Sequence, residues 1–161
     1  MASAQDQGSI FTLRFQIARA DAVRSPSHAT TPSTPRRRIL LIDDEPHVRA
    51  TIAEMLRSAG HTVTEAEGPV VGLTRLAENP VDLVLTDLGM PEMSGIEFAH
   101  AIKETMPTLP VVLLTGWGNR SIGEDVVRGV VDAVLGKPVG LQELLGCVDM
   151  CTRRAGTAEP T

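Results

Sequence analysis

Tyrosine is absent from this chain, tryptophan occurs once and phenylalanine three times. Cysteine is almost as scarce: the two present, Cys147 and Cys151, stand four apart on what reads as a helix. No cluster of His or further Cys accompanies them to complete a zinc site, so reduced, half-buried core or surface thiols are expected. No apolar run approaches the roughly 18 residues that a helix needs to cross a bilayer. The first residues also lack the basic-then-apolar order of a secretion signal, and a cytoplasmic location is the expectation. Basic charge is not in surplus either. With 15 Lys and Arg against 20 Asp and Glu the formal net charge is −5, which argues against a surface built to neutralise a nucleic-acid backbone. The local exception, Arg36-Arg37-Arg38, has no basic helix beside it and reads as the solvated start of a buried strand.

What is present suffices for one globular domain. A hydrophobic content of 42% over 161 residues can build a real core, while the length excludes two large domains. Residues 24–38, RSPSHATTPSTPRRR, carry almost nothing that could be buried and are expected to form a flexible linker. Residues 153–161 are again small and polar and are expected to be a disordered tail, leaving no room for a C-terminal output domain. The folded domain is therefore expected over residues 39–152.

Within it the hydrophobic period alternates. Residues 39–42 form a short, continuous apolar run, as expected of a strand covered on both faces. A helix follows, with Pro46 in its first turn, Val48, Ile52, Met55, Leu56 and Ala59 at helical spacing, and Gly60 to end it. A strand over 61–65 and a helix over 70–77 come next, stopped by Asn79-Pro80. The pattern then predicts a strand over 81–86, a helix over 95–105 and a strand over 109–114. A fourth helix within 121–129 is weakened by Gly123 and Gly129. A strand over 133–135 and a helix with Leu141, Leu144, Leu145 and Val148 on one face complete the series. Five apolar strands alternating with five helices imply right-handed crossovers and a parallel sheet covered on both sides. In such sheets a ligand site lies beyond the carboxyl ends of the strands.

The residues predicted there are Asp43, Asp44 and Glu45 after the first strand, Asp87 after the third, Thr115 after the fourth and Lys137 after the fifth. Each has an ordinary alternative, since an Asp after a strand often caps the next helix and a Lys before Pro is often merely solvated. Their convergence on one edge of one sheet points to chemistry. Packed carboxylates repel, and a hard divalent cation such as Mg2+ relieves that repulsion while keeping several waters. Asp44 and Asp87 suit direct ligation, with Asp43 acting through water. An ionised carboxylate can attack a phosphorus atom, which makes Asp87 the candidate nucleophile. Lys137 offers a point charge to one phosphoryl oxygen and Thr115 a hydroxyl to another, together an electrostatic clamp.

The segments LLIDDEP, VDLVLTDLGMPEMSG, VVLLTG and LGKP resemble the signature segments of response-regulator receiver domains over residues 39 to about 152. That resemblance implies a flavodoxin-like doubly wound (βα)5 fold with Asp87 as phosphoacceptor. It implies the Gly89 carbonyl as a further metal ligand, and Thr115 and Lys137 as the switch threonine and lysine of the site. Met90-Pro91 and Gly95 match the loop leading from the acceptor into the third helix, and Gly116 leaves room beside the phosphoryl group. Two positions depart from the family or stand out. The aromatic residue usual three positions before the lysine is Val134 here, and Trp117, two past Thr115, borders the site and is expected to slow loss of the phosphoryl group.

Residues 7–17, QGSIFTLRFQI, read as a lone strand without a partner in the chain. They resemble the last strand of a histidine-kinase ATP-binding domain, which would make this chain the C-terminal piece of a hybrid sensor kinase, with residues 18–38 as linker. An unrelated extension is the other reading. The expected function is a phosphorelay switch: Asp87 takes a phosphoryl group from a sensor histidine kinase or a histidine phosphotransfer protein, with Mg2+ bound. No nucleic-acid or membrane contact and no turnover of an external substrate are expected. Two alternatives are a Mg2+-dependent phosphohydrolase with an aspartyl-phosphate intermediate and a degenerate receiver that only docks. The first would normally carry an acid/base Asp two residues past its nucleophile, where Gly89 stands.

Overall fold

The computed structural model describes residues 2–3, 9–10, 35–116 and 129–156. The chain divides into two units, Met1–Ser33 and Thr34–Thr161. In the first, β1 (Ala2–Ser3) pairs antiparallel with β2 (Ser9–Ile10), so the strand begun at Ser9 does have a partner within the chain, contrary to expectation. Residues 11–17 of that expected strand, and the linker before residue 35, lie outside the described residues.

The second unit runs β3 (Arg38–Ile42), α1 (Pro46–Ser58), β4 (Thr62–Ala66), α2 (Pro69–Glu78), β5 (Leu83–Asp87), α3 (Gly95–Thr105), β6 (Val111–Thr115), β7 (Ala133–Gly136) and α4 (Leu141–Gly156). The five strands β3–β7 form one sheet in the order β4-β3-β5-β6-β7, with every neighbouring pair parallel. This is the parallel sheet expected from the alternating pattern, in the flavodoxin-like doubly wound order that the resemblance to receiver domains implies. Of the predicted fourth helix, residues 121–128 lie outside the described residues, as does Trp117.

Side-chain alternation sorts the core into two layers, because successive residues of a strand point to opposite faces. Ile39, Leu41, Leu83, Leu85, Val112 and Leu114 meet Ile52, Ala53 and Leu56 of α1 and Leu144, Cys147, Val148 and Cys151 of α4. Leu40, Ile42, Val84 and Val111 point the other way, against Leu76 of α2 and Phe98, Ala99 and Ile102 of α3. Both faces of β5 and β6 are thus covered, and every residue of these strands is buried. The Leu and Val runs that open these strands are what that burial requires, and the polar residues fall at their carboxyl ends.

Several boundaries differ from the sequence pattern for identifiable reasons. Asp87 and Thr115 are the last residues of their strands rather than the first beyond them, because the ladder to the neighbouring strand continues through them. Arg38 opens β3 instead of closing the linker: Asp82 accepts from its backbone N–H at 2.8 Å and from its guanidinium at 2.6 Å. The last helix runs on to Gly156, past the boundary expected at 152. The Thr152 hydroxyl donates to the Val148 carbonyl at 2.8 Å and Arg153 Nε to Asp149 at 2.9 Å, pairs that polarity alone does not reveal. Both cysteines are buried free thiols with Sγ atoms 4.0 Å apart, rather than half-buried ones. Their contact, together with burial, pushes the Cys147 thiol up from its ordinary value.

At the amino-terminal edge of the sheet, His61 is buried and accepts the Arg37 backbone N–H through Nδ1 at 3.3 Å. This bond requires a neutral ring, whose Nε2 finds no partner among the described residues. Burial, aided by the nearby Arg37 charge, pushes the His61 pKa down. A depressed histidine means that the unfolded chain takes up the proton first. Stability is therefore retained above the unfolded value near 6.5 and lost as pH falls from there through the folded value. Urea denaturation at pH 7.5 and pH 5.5 is expected to show a loss on the order of 1 kcal/mol that a His61→Asn variant does not share. An equal loss in both proteins would rule out His61 as the source.

Candidate functional site

Three loops at the carboxyl edge of the sheet bring the predicted residues together. Asp43 follows β3 directly; its backbone N–H is held by the Ala66 carbonyl at the end of β4 at 3.2 Å, and its side chain is wholly buried. One carboxylate oxygen accepts the Glu45 N–H at 2.9 Å, at the start of α1. The other accepts from Lys137 Nζ at 2.7 Å. Asp87, at the end of β5, repeats the arrangement: Oδ2 accepts the Gly89 N–H at 2.7 Å and Oδ1 lies 2.5 Å from Lys137 Nζ. One ammonium therefore bridges two carboxylates from separate loops, and each carboxylate is oriented by a backbone amide two residues downstream.

Lys137 reaches this position because β7 ends at Gly136, opposite Thr115 in the register, and its own N–H bonds the Thr115 carbonyl at 2.6 Å. Burial by itself pushes the ammonium's pKa down, but hydrogen bonds and charge attraction from Asp43 and Asp87 outweigh it and hold the group above the ordinary lysine value. The ammonium thus stays charged at neutral pH. Thr115 is buried beside this lysine. Gly95, the first residue of α3, lets the helix start against the acceptor strand: a Cβ there would stand 2.1 Å from the Asp87 carbonyl oxygen. Its N–H bonds the Leu88 carbonyl at 2.9 Å, and a reciprocal Ser94/Glu97 capping box fixes the helix entry.

The expected set of three gathered carboxylates is only partly assembled. Asp43 and Asp87 converge, whereas Asp44 is exposed, lines a neighbouring hollow with Glu67 and Glu92, and has no bonded partner among the described residues. Among those residues no three acidic, His or Cys side chains are gathered at metal-binding spacing. The donors on offer at this edge, the carboxylates of Asp43, Asp44 and Asp87 and the carbonyl of Gly89, are all hard oxygens, which fits a hard divalent ion. Two of them already share one positive charge. Arg49, which the sequence reading passed over, also enters the site, donating through Nη1 to the Asp43 carbonyl at 2.6 Å. A cation in the first turn of a predicted helix, six residues past Asp43, was the available signal. Beside Lys137 a hollow of about 530 Å3 opens between α1 and the residues after β7, lined by Val48, Ile52, Met55, Pro138 and Val139. No helix among the described residues is long and apolar enough to cross a membrane.

Comparison with known proteins agrees with this fold. The family model of the response regulator receiver domain matches residues 39–149. The response regulator receiver protein CpdR of Brucella abortus is 34% identical over 113 residues, covering 70% of this chain and 94% of CpdR. The sensor histidine kinase RcsC of Salmonella typhi is 30% identical over 135 residues, covering 84% of this chain but 14% of RcsC. In three dimensions, a response regulator receiver domain protein from Clostridium thermocellum superposes with a TM-score of 0.72 at 30% identity, covering 76% of this chain and 99% of that one. With its sheet order, the family model and these relatives in agreement, the chain belongs to the response regulator receiver domain family.

Proposed function

We propose that Asp87 is the phosphoacceptor of this receiver domain and that Lys137 and Thr115 hold the incoming phosphoryl group. The observation that carries this reading is the single Lys137 ammonium bound to both Asp43 and Asp87 at the carboxyl edge of the sheet. An Asp87 carboxylate oxygen attacks phosphorus, the P–N bond of a phosphohistidine breaks, and the imidazole nitrogen keeps the electron pair and takes up a proton. Lys137 can turn one of its donors toward a phosphoryl oxygen while keeping its carboxylate contacts, since an ammonium has three. The buried Thr115 hydroxyl bonds a second oxygen. A Mg2+ ion held by Asp44, Asp87 and the Gly89 carbonyl, with Asp43 acting through water, would draw off charge that the phosphoryl oxygens bring.

The donor in this reading is a sensor histidine kinase or a histidine phosphotransfer protein, and the reaction is cytoplasmic, without nucleic acid or membrane contact. The protein turns over no external substrate; it acts only on its own phosphorylation and dephosphorylation. If residues 7–17 end a kinase ATP-binding domain, the kinase and the receiver share one polypeptide. Incubation with Mg2+ and a small phosphodonor such as acetyl phosphate is expected to add one phosphoryl mass to the wild type. An Asp87→Ala variant should gain none, and equal labelling of the two would remove Asp87 from this role.

A further inference from the structure

Arg49 occupies a position that helix electrostatics disfavours. It lies in the first turn of α1, where its N–H makes an early helical bond to the Glu45 carbonyl at 3.0 Å, and that turn holds no acidic residue to offset it. The amino end of a helix carries partial positive charge, so a cation there is destabilising unless something else recruits it. Two groups do. The Asp43 carbonyl accepts from Nη1 at 2.6 Å, and Glu65 of the neighbouring strand β4 places Oε2 3.5 Å from Nε. Glu65 is itself steadied by Arg57, whose Nη2 bonds its other carboxylate oxygen at 2.9 Å. The Arg49 side chain is only 16% exposed, so these contacts are largely shielded from water and salt.

The carbonyl that Arg49 holds belongs to the peptide joining Asp43 to Asp44. Its direction sets the last backbone angle of Asp43 and the first of Asp44, and hence where the Asp44 side chain leaves the chain. Neighbouring β4 fixes the same peptide segment from the other side through the Asp43 N–H. Asp44 makes no hydrogen bond or ion pair of its own among the described residues, so the backbone is what aims it.

We propose that Arg49, anchored by Glu65, is a positioning residue that aims Asp44 and thereby sets the affinity of the acidic edge for a divalent cation. The inference rests on the reading of this edge as a Mg2+-assisted phosphoacceptor site. Groups that orient metal ligands without touching the metal typically change affinity by about 10- to 100-fold when removed.

Calorimetric titration of the full chain with Mg2+ separates the possibilities. If the wild type binds no Mg2+, the functional reading itself fails. If it binds, an Arg49→Ala variant is expected to bind about tenfold more weakly, Glu65→Gln to fall between the two, and Arg49→Lys to recover part of the loss. Acetyl phosphate labelling should show the same split: a higher half-saturating Mg2+ concentration with a near-normal rate at saturation. Mg2+-induced shifts of the Asp44 and Glu45 amide resonances should shrink in parallel. Unchanged Mg2+ affinity in folded Arg49→Ala, or in Arg49→Lys and Glu65→Gln should the alanine variant not fold, overturns the proposal.

Discussion

Placing a methyl group on Gly95 is expected to destabilise this protein by about 3 kcal/mol or more, since among the described glycines its Cβ would make the closest approach to other atoms. The Cβ of Gly95→Ala would meet the Asp87 carbonyl oxygen at 2.1 Å, the Leu113 Cδ1 at 2.8 Å and the Asp87 carbonyl carbon at 3.0 Å. Two of these three atoms are backbone, so no rotamer change relieves the overlap. Either α3 must lift away from β5 or the end of β5 must bend, and both movements displace the Asp87 main chain. Urea unfolding should register the loss of stability, and acetyl phosphate labelling should fall with it. A variant within about 1 kcal/mol of wild type would mean that α3 can slide without cost, contrary to the fixed capping box at its start.

Removing the bridging charge should have a comparable effect by a different route. In Lys137→Met the stem remains but the ammonium is lost, leaving Asp43, wholly buried, and Asp87, 8% exposed, with one backbone amide each. Stripping one partner from a buried ion pair costs about 3–5 kcal/mol, because the remaining charge stays desolvated. Here two like charges remain, which argues for the upper part of that range. A divalent cation can take over the lost charge, so Mg2+ should raise the urea midpoint of Lys137→Met more than that of the wild type. Equal shifts in both proteins would show that the two carboxylates do not share a cation.

Much of this was legible in the amino-acid order. The runs of Leu, Ile and Val at β3, β5 and β6, and the helical spacing of α1 and α3, follow from burial on both faces and on one face respectively, and the parallel sheet follows from the crossovers, while its strand order came only with the resemblance to receiver domains. Asp43, Asp87 and Lys137 could be placed on one edge because each ends or follows a strand. What could not be read were features set by partners distant in sequence. Asp82 draws Arg38 into β3, and Glu65 and the Asp43 carbonyl recruit Arg49. Residues 153–156 join α4 through side-chain pairs of modest strength that a polar composition hides. Adjacency in sequence also puts Asp43 and Asp44 on one loop without fixing where each side chain points: Asp43 is buried and Asp44 exposed.

The outward position on β7 carries a further implication. Val134 is 45% exposed there, and a β-branched side chain has little freedom about its first torsion. A large ring at such a place can report a change inside the sheet by swinging between inward and outward poses; two methyl groups cannot. A change of rotamer at residue 134 therefore cannot carry a signal across β7, and any such signal has to pass through other side chains or through the strand backbone itself.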